Sequence, residues 1–251
     1  TQRPDAKAFI DAGVPGVGNP AQIWGSPEVK DDISLFGNVG LDLTANSEFY
    51  MFGNYSERDV RGGFYYRNPH TRPGVYSNDD GKTLLIGDLT PGPVGQVNDG
   101  LGLGDGIDCP IIPIVNADVR TQQDYINGVQ NNPNCFAFNE MIPGGFTPNF
   151  GGNITDTSLT IGTKGEVKSG LLDGAYYDIS GNVGRSESRF FIYNTLNASL
   201  GADTPRDFSP GKYIQLEKNF NVDLSKGFDA GYYSDVNVAG GIEWHEETFE
   251  V

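Results

Sequence analysis

Basic residues are scarce in this chain. Its 251 residues include 17 Lys and Arg against 33 Asp and Glu, a formal net charge of −16. Binding phosphates needs clustered cations, so nucleic acid is not an expected partner. Anionic membrane surfaces are disfavoured for the same reason, whereas cationic or metal-bearing ligands stay open. There is no run of about 18 apolar residues, so no transmembrane helix is expected. A β-barrel is not excluded by that, because its strands meet lipid only at every second position. The mean hydropathy of −0.38 fits an outer-membrane barrel and a soluble β protein equally. The chain also lacks GxSxG, a Walker loop and HExxH. Its acids scatter along polar faces without a paired arrangement for hydrolysis. No catalytic constellation is expected, and the chain reads as a non-enzyme with no required cofactor. The N-terminus, TQRPDAKAF, has no apolar core of a signal peptide. An exported protein needs one, so the chain is expected to be processed or a piece of a longer one.

Cysteine is nearly absent. The two present, Cys109 and Cys135, lie in one irregular segment without CxxC or Cys/His spacing, which argues against zinc. Such a segment gains from a cross-link, so they are expected to form a disulfide in an oxidising compartment.

Glycine and proline are abundant, at 35 and 15 residues. Against that background one stretch stands out, Asp31–Tyr66. Ile33, Leu35, Val39, Leu41 and Leu43 alternate with Ser34, Asn38, Gly40, Asp42 and Thr44. A period of two predicts a strand with one apolar and one polar face. A break at Ala45-Asn46-Ser47 leads into a second strand rich in aromatics. Both are about twice the usual strand length in a soluble protein. Similar units recur, and the predicted strands cover 31–44, 48–61, 155–167, 173–193, 213–225 and 235–251. Short turns fall near 45, 169 and 229. Long connections fall at 1–30, 62–154 and 194–212. That alternation is the plan of an outer-membrane meander, with short turns inside and long extracellular loops outside. The fold class expected is therefore all-β, an antiparallel up-and-down meander forming part of a large transmembrane β-barrel. About six strands do not close a barrel, and an open edge in lipid is prohibitive.

Within the long connection 62–154, Asp118–Asn127 is expected to form a short helix with Gly128 as its stop. Leu84–Ile86 and Ile111-Ile112 read as short strands or a small core. Residues 1–30 read as a surface loop with Phe9 and Trp24 as packing anchors. The aromatic groups Phe49/Tyr50/Phe52, Phe64/Tyr65/Tyr66, Phe190/Phe191/Tyr193 and Tyr232/Tyr233 fall near strand ends. They read either as interfacial girdles or as cross-strand packing.

PAQIWGSP (Pro20–Pro27), FGNVGLDL, EFYMFGNYSERDVRGGFYYRNP (Glu48–Pro69), NCFAFNEMIPGGFTPNFGG (Asn134–Gly152), FFIYNTLNASLGADTPRDFSPGKY (Phe190–Tyr213) and NVAGGIEWHEETFEV (Asn237–Val251) resemble, in order, the barrel of TonB-dependent outer-membrane receptors. The resemblance covers nearly the whole chain. It implies a location in the bacterial outer membrane, a barrel of about 22 strands, and TonB-driven uptake of a scarce nutrient such as a ferric siderophore or another metal chelate. The expected partners are that small ligand, outer-membrane lipid, and TonB through a plug. This chain shows neither the plug nor a TonB box, so energy coupling would lie outside it.

Two readings from other classes compete: a secreted soluble β-rich module that binds a glycan, and a passive porin. Candidate ligand contacts are Tyr65, Tyr66, Arg67 and His70, just beyond a strand end. A solvated loop histidine is the plainer reading of His70. His245, on the polar side of the last strand beside Glu243 and Glu247, reads as a hydrogen-bonding residue of the wall. Asp99, Asp105 and Asp108 gather oxygen ligands among glycines. They offer a calcium site, although the spacing is not that of an EF-hand and a solvated Gly/Asp loop fits as well.

Overall fold

The computed structural model describes residues 3–22, 27–89, 102–103 and 109–251. The chain divides into two compact units. One comprises 1–27, 61–150 and 191–209, and the other 28–60, 151–190 and 210–251.

The second unit is built on a single sheet. In chain order the helix and strands of the protein are α1 (Pro4–Asp11), β1 (Glu28–Thr44), β2 (Ser47–Gly63), β3 (Gly87–Asp88), β4 (Gly102–Leu103), β5 (Cys135–Phe136), β6 (Asn149–Glu166), β7 (Tyr176–Tyr193), β8 (Phe208–Phe228) and β9 (Val236–Glu250). The large sheet has the order β1-β2-β6-β7-β8-β9 and is antiparallel. Its strands run from 15 to 21 residues. The expected all-β meander is therefore present: β1, β2 and β8 extend past the predicted ends, β6 starts earlier, and β7 and β9 are slightly shorter than predicted. In such a meander every strand reverses the chain. The connections 45–46, 167–175 and 229–235 thus share one end of the sheet. Among the described residues β1 and β9 each pair on one side only, and every residue of both is exposed.

The first unit collects the long connections. It is not structureless. β4, β3 and β5 form a small antiparallel sheet in that order. Leu84, Ile86, Ile112, Val119, Tyr125 and Val129 pack around Cys109 and Cys135. The two cysteines form the expected disulfide, with Cα atoms 5.7 Å apart. A second cluster joins Val75, Tyr76, Phe136, Phe138, Ile142 and Phe146. The N-terminal stretch also differs from a plain loop, because Pro4 opens the helix α1 and Asp5 sits in its first turn. Ala6 and Phe9, three apart and so on one face, are its buried residues. Phe9 is thus the anchor expected, while Trp24 lies outside the described residues.

The helix expected at 118–127 is broken differently. Asp118 caps a 3-10 turn at 119–121, and a short α-turn at 123–125 passes into a π-turn at 126–130. Gly128 does not stop it. A Cβ there would lie 2.5 Å from Pro110 Cγ, so the missing side chain lets Pro110 pack against the turn.

Candidate functional site

The large sheet's two faces differ in chemistry, and the β8–β9 ladder defines them. Residues directly opposite in an antiparallel ladder share a face. Phe220 faces Trp244, Val222 faces Ile242, Leu224 faces Gly240 and Phe228 faces Val236. The intervening pairs, Asn219 with His245, Asn221 with Glu243 and Asp223 with Gly241, point the other way.

Among the described residues no layer covers the apolar face. Leu41, Val238, Ile242 and Trp244 are 58%, 56%, 78% and 51% exposed. A shallow groove of about 580 Å³ continues the face across β2, β6, β7 and β8, lined by Phe49, Leu159, Ile161, Ile179, Val183 and Phe220. Along β8 this face shows Phe220, Val222 and Leu224, then Lys226 and Phe228. Charged pairs lie on the same face. Lys218 stands opposite Glu246, with Nζ donating to Oε1 at 2.9 Å. On β7, two residues past Val183, Arg185 begins a series in which Arg185 and Arg189 both donate to Glu187. At the other end Lys226 turns its ammonium over the Phe228 ring, 5.6 Å from the centroid.

The polar face carries an open concavity of about 1010 Å³ near the short turns. Asp42, Glu48, Asp178 and Asp223 line it, with Lys164 as the one cation among its lining residues. Lys164 Nζ lies 3.4 Å from Glu48 and 5.5 Å from the Tyr50 ring centroid. The Tyr50 hydroxyl donates to Asp178 at 2.6 Å. Its ring lies where a Cβ on Gly162 would fall, 2.3 Å from Cζ, so glycine permits the approach. Tyr50 stacks on Phe52, and both belong to this face. Tyr50 thus packs across to the neighbouring strands through Gly162 and Asp178. Farther along the same face, Tyr213 packs between Phe190 and Phe249, with centroids 5.3 and 5.7 Å away.

The ligand contacts expected from sequence all fall in the loop unit. Tyr66 is buried, its hydroxyl donating to Gly144 O at 2.5 Å. Burial pushes that phenol well above its ordinary range. The Arg67 backbone pairs with Phe146. The His70 Nε2 meets the Ala117 carbonyl, and its ring lies 6.4 Å from Phe9. Tyr66, Arg67 and His70 thus hold the loop unit together, while Tyr65 is half exposed. Asp99, Asp105 and Asp108 lie outside the described residues.

One grouping was not anticipated. Glu217, His245 and Glu247 bring their donor atoms within 4.8 Å of one another. His245-x-Glu247 in a strand puts both on one face, which was legible. Glu217 joins them only through the β8–β9 register.

No family model matches the chain, and no curated protein or solved structure matches it either.

Proposed function

We propose that the chain is part of the wall of a transmembrane β-barrel in a bacterial outer membrane, and that the barrel is a TonB-dependent receptor taking up a scarce nutrient such as a metal chelate. The observation that carries the membrane reading is the uncovered apolar face of the six-stranded sheet. In water an antiparallel sheet hides its apolar face against a core. Here that face is exposed across all its strands and bounded by charged pairs. Hydrocarbon is the environment that makes such a face stable, and the opposite, carboxylate-rich face then lines an aqueous interior. Further strands on β1 and β9 would satisfy both open edges, as a barrel requires.

The loop unit, with its own cores and disulfide, supplies a rigid surface for capturing a ligand at the cell surface. The receptor assignment, with its plug and TonB, rests on the sequence resemblance. Fractionation tests the membrane reading. The protein is expected in the membrane pellet and to stay monodisperse only in detergent. Recovery as a folded, monodisperse species without detergent would refute it. Binding of ferric chelates by the detergent-solubilised protein tests the ligand class separately.

A further inference from the structure

We infer that Glu217, His245 and Glu247 form a binding site for a divalent transition-metal ion of the zinc and cobalt class. The inference stands on the β8–β9 ladder and does not depend on the membrane reading. Glu217 is directly opposite Glu247, and His245 is two residues back along β9, so the ladder holds all three on one face. Their donor atoms lie within 4.8 Å of one another. A tetrahedral ion with bonds of about 2.0–2.2 Å spaces its donors by roughly 3.3 Å. Rotation of three half-exposed or exposed side chains closes that gap without moving the backbone.

Like charges placed directly across a ladder repel. Nothing basic relieves this pair along the two strands. From Gln215 to Asn221 on β8 this face shows Gln, Glu, Asn and Asn. From Glu243 to Phe249 on β9 it shows Glu, His, Glu and Phe. Lys218 points to the other face, where it pairs with Glu246. What holds the two carboxylates is neutral. The Gln215 amide donates to Glu247 Oε1 at 2.7 Å and to Glu217 Oε1 at 3.1 Å. One oxygen of each carboxylate is thereby oriented and the other left for an ion, the role that outer groups play around metal ligands.

The imidazole separates this group from a plain patch of acids. It adds a neutral nitrogen donor, which suits zinc, cobalt or nickel, whereas calcium and magnesium prefer oxygen alone. Three protein donors leave a position for water or for a donor atom of a bound ligand.

The test uses the chelator-stripped, folded protein, titrated with Co²⁺ by visible absorption and with Zn²⁺ by calorimetry. One saturable equivalent is expected, with Zn²⁺ displacing Co²⁺ and Ca²⁺ failing to. His245→Ala and Glu217→Gln, each checked for an unchanged β-sheet spectrum, should weaken binding at least about tenfold, and Gln215→Ala by about tenfold. His70→Ala should leave it unchanged. Absence of saturable binding, wild-type affinity retained in His245→Ala and Glu217→Gln, or loss of binding in His70→Ala would overturn the assignment.

Discussion

Phe220 stands directly opposite Trp244 on the uncovered face of the sheet, and the next pair, Asn219 and His245, points to the other. One residue of displacement along the ladder thus changes the environment from apolar to polar. A charge should be tolerated on one side and not on the other. Ile242→Arg is expected to cost about 2–4 kcal/mol for the protein folded in phospholipid vesicles, as arginine does at the lipid face of a barrel. Asn221→Arg, on the opposite face, should cost far less. Denaturant titrations in vesicles check the pair, and equal costs would show that neither face meets lipid.

The loop unit depends on its cross-link. Cys109 and Cys135 are 26 residues apart in sequence. Closing a loop of that length constrains the unfolded chain by about 3–4 kcal/mol. Replacing both cysteines by serine should lower the stability of the loop unit by that order. Protease susceptibility within 109–135 should rise, while the amide protection of β8 and β9 stays unchanged. Hydrogen exchange reads both.

Acid should loosen the turn at Ser77–Thr83. Asp79 accepts from Thr83 N, Thr83 Oγ1, Ser77 Oγ and Lys82 N. Hydrogen bonding to Thr83 first of all holds its carboxyl well below the usual range. A depressed folded value means the stabilisation is complete above the unfolded pKa of about 3.9 and fades as pH falls below it. The turn should therefore open with acid in the wild type, and Asp79→Asn should remove that acid dependence. Exchange rates of the Lys82 and Thr83 amides from pH 5 down to pH 2 test this.

The contact of Tyr50 with Gly162 gives a packing test. A Cβ at Gly162 would fall 2.3 Å from Tyr50 Cζ. Gly162→Ala should displace the ring, break its bond to Asp178 and cost about 1–3 kcal/mol. Tyr50→Phe removes only the hydroxyl and should cost about 1 kcal/mol. If both substitutions cost the same, the ring does not occupy the space above Gly162.

The features legible in the sequence were those with a local period. Ile33 to Leu43 alternate, and β1 follows. The disulfide was legible because only two cysteines exist to pair. The first loop core was legible in part, since Leu84–Ile86 and Ile112 read as short strands or a small core, but Val129 and the second cluster come from short runs without periodicity. The helix α1 was hidden by the Gly and Pro that follow it, although Pro4 and Asp5 are start signals. The metal-ligating trio escaped because Glu217 lies far from His245 in sequence. Only the register of two long strands makes them neighbours. Tyr50 and Phe52 read from sequence either as girdle residues or as cross-strand packing, and strand parity puts them on the polar face.

Trp244 offers the most direct measurement of the central claim, that the apolar face of the sheet meets lipid. In a Trp24→Phe background it is the one tryptophan left, since the chain has two. Its fluorescence is measured in vesicles carrying a quencher on the acyl chains, and again with aqueous iodide. Strong quenching from the acyl chains with protection from iodide is the result expected. Iodide quenching that vesicles do not reduce, with no effect of the lipid-borne quencher, would contradict it.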